Sequence, residues 1–187
     1  MKPLATYRDE MLGSDQAFML RLREALEASW DGQTAYGAIE QAGNPALGQC
    51  YPTCRVVQHY YPETEIIKGR VWTGESEEVH FWNGLPIDDE WYHIDLSWRQ
   101  FPVGSVVREF RVLDRHDLDD SQATIQRCAL LLERVESYLR NWTHSGRSGA
   151  NQKLHQPRID LNHRRLQSGG LVKNSRPITI LAQPVAD

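Results

Sequence analysis

Small and apolar residues recur at helical spacing in the first third of the chain. Phe18, Leu22, Ala25, Leu26 and Ser29 fall at i, i+4, i+7, i+8 and i+11, which predicts an amphipathic helix over 15–29 with Ser14 or Asp15 as its cap. From Trp30 to Gly48 the pattern dissolves into Gly, Asn, Pro and Thr, the composition of a long loop. Long ordered loops in compact domains are disproportionately functional. A second helix is predicted from about 51 to 60, because Pro52 fits a first helical turn, where its missing N–H costs nothing, and Val56, Val57 and Tyr60 form a buried stripe.

Three strand-like stretches follow. Glu65 to Trp72 contains the β-branched pair Ile66 and Ile67, Val79 to Asn83 alternates, and the turn set Gly84, Pro86, Asp88 and Asp89 leads into Trp91 to Ser97. The strongest helical pattern lies over 120–142, with Ile125, Cys128, Ala129, Leu132, Val135 and Leu139 on one stripe and Asp120 or Ser121 as cap. Cys128 on that stripe reads as structural. Beyond Trp142, Ser, Gly, Asn, Gln, Arg and His dominate until Ile178-Thr179-Ile180-Leu181, a short stretch that reads as an edge strand or a docking segment.

Charge divides the chain at the same place. Residues 1–142 carry 14 Lys and Arg against 23 Asp and Glu, whereas residues 143–187 carry seven against two. An acidic body argues against a nucleic-acid platform, which needs a positive footprint. The basic tail reads as a solvated, linker-like segment, with an anionic partner as the sharper alternative. No apolar run reaches the roughly 18 residues of a membrane span, and no basic-then-hydrophobic leader is visible. Cys50, Cys54 and Cys128 are few and odd in number, as expected of free thiols in a reducing, cytoplasmic setting.

The chemistry concentrates at Asn44-Pro45-Ala46-Leu47-Gly48-Gln49-Cys50-Tyr51-Pro52. A thiol at a predicted helix N-terminus sits near the positive end of the macrodipole, which favours the thiolate a nucleophile needs. Strand parity supplies partners. His80 and Trp82 share one face of their strand, and Trp91, His93 and Asp95 share one face of the next. Pairing Phe81 with Ile94 sets His80 opposite Asp95, with Cβ atoms roughly 5 Å apart. His80 is then the base and Asp95 its orienter, with His93 as the rival base, poorly served by a carboxylate on its own strand. Oxyanion donors are sought in the Cys50 backbone N–H and in the side chains of Asn44 or Gln49. Of Trp30, Trp72, Trp82, Trp91 and Trp98, only Trp82 is assigned to the neighbourhood of the site. A metal site built on Cys50, Cys54 and His59 or His80 lacks a second ligand pair, so neither metal nor cofactor is expected, and Cys54 reads as core one turn below Cys50.

Taken together, Trp30 with Thr34, Asn44-Pro45, Gly48-Gln49-Cys50, His80-Phe81-Trp82-Asn83, Ile94-Asp95-Leu96-Ser97 and Gln100-Phe101 resemble the YunG-like family of bacterial proteins. The likeness covers about residues 15 to 140. That family looks like a compact variant of the papain and transglutaminase-like cysteine hydrolases. The resemblance implies an α+β fold, with a papain-like or transglutaminase-like core in which a cysteine-bearing helix packs on a small antiparallel sheet. It makes residues 1–142 the hydrolase-like domain and 143–187 an appended tail. By position, Cys50 matches the nucleophile, His80 the base and Asp95 the third member, while Asn44 matches the place of the amide donor. Tyr51, Pro52 and Thr53 are bulkier than expected after the cysteine, which bears on substrate size.

The expected function is a cysteine-dependent hydrolase acting on a peptide or small amide substrate, as a peptidase or deamidase. An acyltransferase using the same triad, a non-catalytic binding module that keeps the fold, and an effector-like domain with a recruiting tail are the alternatives. Neither a nucleic acid nor a membrane is an expected partner.

Overall fold

The computed structural model describes residues 4–38, 40–87, 90–116, 118 and 120–145. The basic tail from 146 onward, including 178–181, lies outside the described residues. Three helices, α1 (Leu4–Ser29), α2 (Cys50–Tyr60) and α3 (Gln122–Ser145), accompany four strands, β1 (Glu65–Trp72), β2 (Glu77–Ile87), β3 (Glu90–Ile94) and β4 (Val106–Val112). The strands form one antiparallel sheet in the order β3-β2-β1-β4. The class is α+β.

The predicted stripe on α1 is the one that buries: Leu22, Ala25 and Leu26 are fully covered, and Phe18 packs beside them. The helix begins well before the expected cap at Ser14 or Asp15, because Ala, Arg, Glu, Met and Leu upstream are good helix formers and Gly13 alone costs only about 1 kcal/mol. On α3 the buried residues are Leu131 and Val135, with Leu132 and Leu139 half-buried. Ile125 and Ala129, expected on the inner stripe, are exposed, so the face presented to the core is rotated toward Leu131. Val56 and Val57 of α2 and its C-cap Tyr61 join Ile94, Leu96 and these helical residues in one core.

The loop before α2 is tied down at several points. Arg134 of α3 pairs with Asp31 at 2.8 Å, while Asp31 Oδ1 accepts the backbone N–H groups of Gln33 and Thr34. Gly48 has φ of 73°, and a Cβ there would lie 3.2 Å from the backbone of Tyr36, which donates its N–H to the Gly48 carbonyl. Only glycine meets both demands. Trp30 Nε1 donates to Thr53 Oγ1 at 3.2 Å, locking the loop's start to the first turn of α2.

Two strand expectations are corrected. β2 runs on to Ile87 through Gly84 and Pro86, two members of the expected turn set, because the β1 pairing stops at Gly84 and leaves Pro86 paired only with β3. This lengthening moves the register: Ile94 pairs with Asn83, two residues from the expected Phe81. The shift is even, so every side chain keeps its face. The fourth strand, β4, is absent from the expectations. It is a charged edge strand, mostly exposed, and its pairing with β1 slips by a bulge at Arg70 and Val71, so its alternation is broken.

β1 yields space to the strand beside it. A Cβ at Gly69 would lie 2.5 Å from the Trp82 ring and 2.7 Å from the Glu109 carbonyl oxygen, and that carbonyl belongs to a paired backbone that cannot swing aside. Gly69→Ala is expected to destabilise the protein by about 1–3 kcal/mol. A urea-unfolding midpoint unchanged from wild type would contradict this packing.

Candidate active site

Cys50 is the first residue of α2, with Gln49 as N-cap. First-turn N–H groups have no intrahelical acceptor, so the Cys50 side chain stands at the positive end of the helix. Gln49 does not cap with its side chain. Its Nε2 donates instead to the Asp31 carbonyl at 2.8 Å, and its Oε1 is buried without a hydrogen-bond partner.

His80 lies on β2 and is wholly buried. Its Nε2 is 2.6 Å from Asp95 Oδ2. Asp95 follows β3 and is offset from His80 by the two-residue register shift, a diagonal of about 7–8 Å between backbones that an imidazole and a carboxylate can span. The other oxygen of Asp95 accepts the Ser97 N–H at 3.0 Å and the Ser97 hydroxyl at 3.2 Å. Both carboxylate oxygens are therefore engaged.

Burial opposes a charge on His80, but the Asp95 charge and hydrogen bond, together with a hydrogen bond and charge from Cys50, outweigh it and raise the ring to about 9. With Nε2 held by Asp95, Nδ1 is the ring nitrogen left to face the thiol. Gln100 Nε2 also lies 2.9 Å from Nδ1. Cys54, one turn along α2, is fully buried, and desolvation first, then the charges of Cys50 and Asp95, push its thiol well above the ordinary range. Cys128, behind α2, is raised to about 11, chiefly by burial.

Aromatic rings frame the imidazole. Trp82 stacks on His80 at 5.7 Å between centroids, Phe101 meets it edge-on at 4.8 Å and Trp98 at 5.9 Å. Trp82 is thus beside the site as expected, but it is almost wholly buried and supports the ring more than it offers a surface to a ligand. Its Nε1 donates to His93 Nδ1 at 2.7 Å. Burial lowers the pKa of His93, so this imidazole is a neutral acceptor and makes no contact with Asp95 like that of His80.

Asn44 and Gln49, sought as oxyanion donors, are each bound through one N–H to a backbone carbonyl. Asn44 Nδ2 donates to the Gln100 carbonyl at 3.0 Å, and Gln49 is sealed in the interior. Three residues at the site went unassigned from the sequence: Gln100, Phe101 and Ser97. They follow Asp95 through a short 3₁₀ turn, Trp98–Gln100, where no periodicity marks an inward side chain. The nearest signal was the Gln100-Phe101 pair within the family-like motif. Among the described residues, no group of three or more His, Cys, Asp and Glu is arranged to hold a metal ion, and no helix is long and apolar enough to cross a membrane.

Residues 19–140, about two thirds of the chain, match the model of the YunG protein family. The chain belongs to that family. No curated protein and no solved structure gives a match.

The raised His80 pKa ties stability to pH. Its folded value of about 9 lies above the unfolded 6.5, so the stabilisation is complete below about pH 6.5 and is lost as pH rises through 9. Unfolding free energy is expected to fall by on the order of 3 kcal/mol across that window. His80→Asn should flatten the profile. An undiminished slope in the variant would assign the pH response to another group.

Proposed function

We propose that this YunG family member is a cysteine-dependent hydrolase of amide bonds, with Cys50 as nucleophile, His80 as proton carrier and Asp95 as the orienter of His80. One observation carries the reading: a buried imidazole bonded through Nε2 to a carboxylate at 2.6 Å, with the helix-start thiol of Cys50 close enough to help raise the pKa of the same ring. The order helix, then antiparallel strands with His on one and Asp just past the end of the next, also supports a compact papain-like or transglutaminase-like core.

In the proposed cycle the Cys50 proton resides on His80 Nδ1. The thiolate attacks the carbonyl carbon and the C=O electron pair moves to oxygen. The tetrahedral species collapses as His80 Nδ1–H protonates the departing amine, the C–N bond breaks, and a thioester remains. Water then loses a proton to His80 and attacks the thioester. The C–S bond breaks, giving the acid and regenerating the thiolate and imidazolium. Asp95 keeps the second ring proton on Nε2 throughout.

Access to Cys50 is narrow, with 9% of the residue exposed, which suits a small amide or a peptide end. The same enclosure favours a second reading, acyl transfer to an amine, because a water-poor site spares the thioester from hydrolysis. Partition of an acyl-enzyme between water and added hydroxylamine separates the two.

Iodoacetamide labelling followed by peptide mass spectrometry tests the nucleophile. At about pH 6.5 Cys50 is expected to alkylate at least about tenfold faster than free cysteine, and His80→Ala to remove that advantage. Asp95→Asn should fall between them. A wild-type rate equal to that of free cysteine, unchanged by His80→Ala, would leave a binding module as the better account.

A further inference from the structure

Attack on a carbonyl requires a donor for the oxygen that becomes charged, and the Cys50 backbone N–H in the first turn of α2 is one. The side-chain donor is unassigned, since the amides of Asn44 and Gln49 are each tethered to a backbone carbonyl. Gln100 is half-buried, and its carboxamide meets the ring nitrogen that faces the thiol. Its backbone is fixed from both sides, with its N–H on the Ser97 carbonyl at 3.0 Å and its carbonyl on Asn44. The side chain is therefore a movable group on an anchored turn.

What Gln100 can do depends on where the proton is. A neutral His80 with its proton on Nε2 offers a lone pair at Nδ1, and the Gln100 N–H donates to it at 2.9 Å. Once Nδ1 carries the proton taken from Cys50, it can no longer accept, because a carboxamide N–H and a ring N–H repel. The amide must then turn its oxygen toward Nδ1–H or leave the ring, and in either case its N–H groups are released. The geometry points to Gln100 as the side-chain oxyanion donor, held on His80 Nδ1 while the ring is neutral and released into the site while the ring is charged.

The timing fits the chemistry, and the assignment rests on the hydrolase reading above. The oxyanion exists only between thiolate attack and collapse of the tetrahedral species. Over that interval, as in the thiolate–imidazolium pair that precedes it, His80 is the imidazolium, so the amide is already off Nδ1 when the oxyanion forms. When the ring gives its proton to the leaving amine, the oxyanion becomes a carbonyl again and Nδ1 recaptures the amide. Asn44, expected to be the donor itself, becomes a positioning residue that holds the Gln100 backbone.

Two reagents separate this role from mere support of His80. Iodoacetamide alkylates sulfur without forming an oxyanion, whereas p-nitrophenyl acetate acylates it through one. Gln100→Glu keeps an acceptor for Nδ1–H but has no N–H to donate. Gln100→Ala removes both functions. In both variants acetylation of Cys50, read as p-nitrophenolate release and by mass spectrometry, is expected to fall about 10²–10³-fold, with alkylation held within about threefold. Equal losses in both reactions for Gln100→Ala, restored together by Gln100→Glu, would reduce Gln100 to a support for the ring and overturn the assignment. Unchanged acetylation in both variants overturns it as well, while leaving Cys50 a nucleophile. A wild-type Cys50 no faster than free cysteine toward either reagent overturns the hydrolase reading and this one with it.

Discussion

The hydrogen bond between His80 Nε2 and Asp95 Oδ2, 2.6 Å long and sealed from solvent, is the constraint around which the rest of the structure is arranged. Withdrawing a carboxylate and an imidazole from water costs several kcal/mol per charge, and only good geometry with every remaining lone pair satisfied offsets it. Ser97 supplies two donors to the far oxygen of Asp95. Trp82, Trp98 and Phe101 enclose the ring and exclude the water that would weaken the pair. Gly69 in turn leaves room for Trp82 to lie flat across β1. The aromatic packing and the buried pair therefore depend on one another.

Two cysteines one turn apart in α2 stand in different surroundings because of position alone. Cys54 lies in an apolar interior where burial disfavours its anion. Its backbone carbonyl accepts from Asn83 Nδ2 at 3.2 Å, which fastens α2 to β2. Cys50 stands at the free end of the same helix, against the His80 ring. Fixing the helix at Cys54 and at Thr53, through Trp30, sets the reach of Cys50 as well. The anchoring contacts at the first turn and the Cys50 end of the helix are thus one rigid unit.

Much of this was legible in the amino-acid order, for reasons that differ by element. Parity joined His80 to Asp95 although the assumed register was off by two residues, because an even slip preserves faces and a long side chain covers the remaining offset. Pro52 marked the start of α2, since its fixed φ and missing N–H suit a first helical turn, and Gly48 marked the turn before it, since glycine takes a positive φ without strain. β4 was hidden because an edge strand needs no apolar alternation, and its charged residues interrupt the pattern a strand is read from. Gln100 was hidden for another reason. A single 3₁₀ turn has no period to read, and its inward residue is decided by the tertiary position of His80, 20 residues away.

Ser97 shows how the arrangement selects one ring nitrogen. By donating its N–H and hydroxyl to Oδ1, it leaves Oδ2 as the atom directed at the imidazole. An acceptor at Nε2 draws the proton to that side, so the neutral ring exposes its lone pair at Nδ1, the nitrogen toward Cys50 and Gln100. The carboxylate holds the ring proton on the nitrogen it meets, so the opposite nitrogen is the one left to exchange a proton with sulfur in the proposed cycle. Ser97 contributes by fixing the carboxylate: its two donors hold Oδ1 and keep Asp95 in the orientation that bonds Nε2.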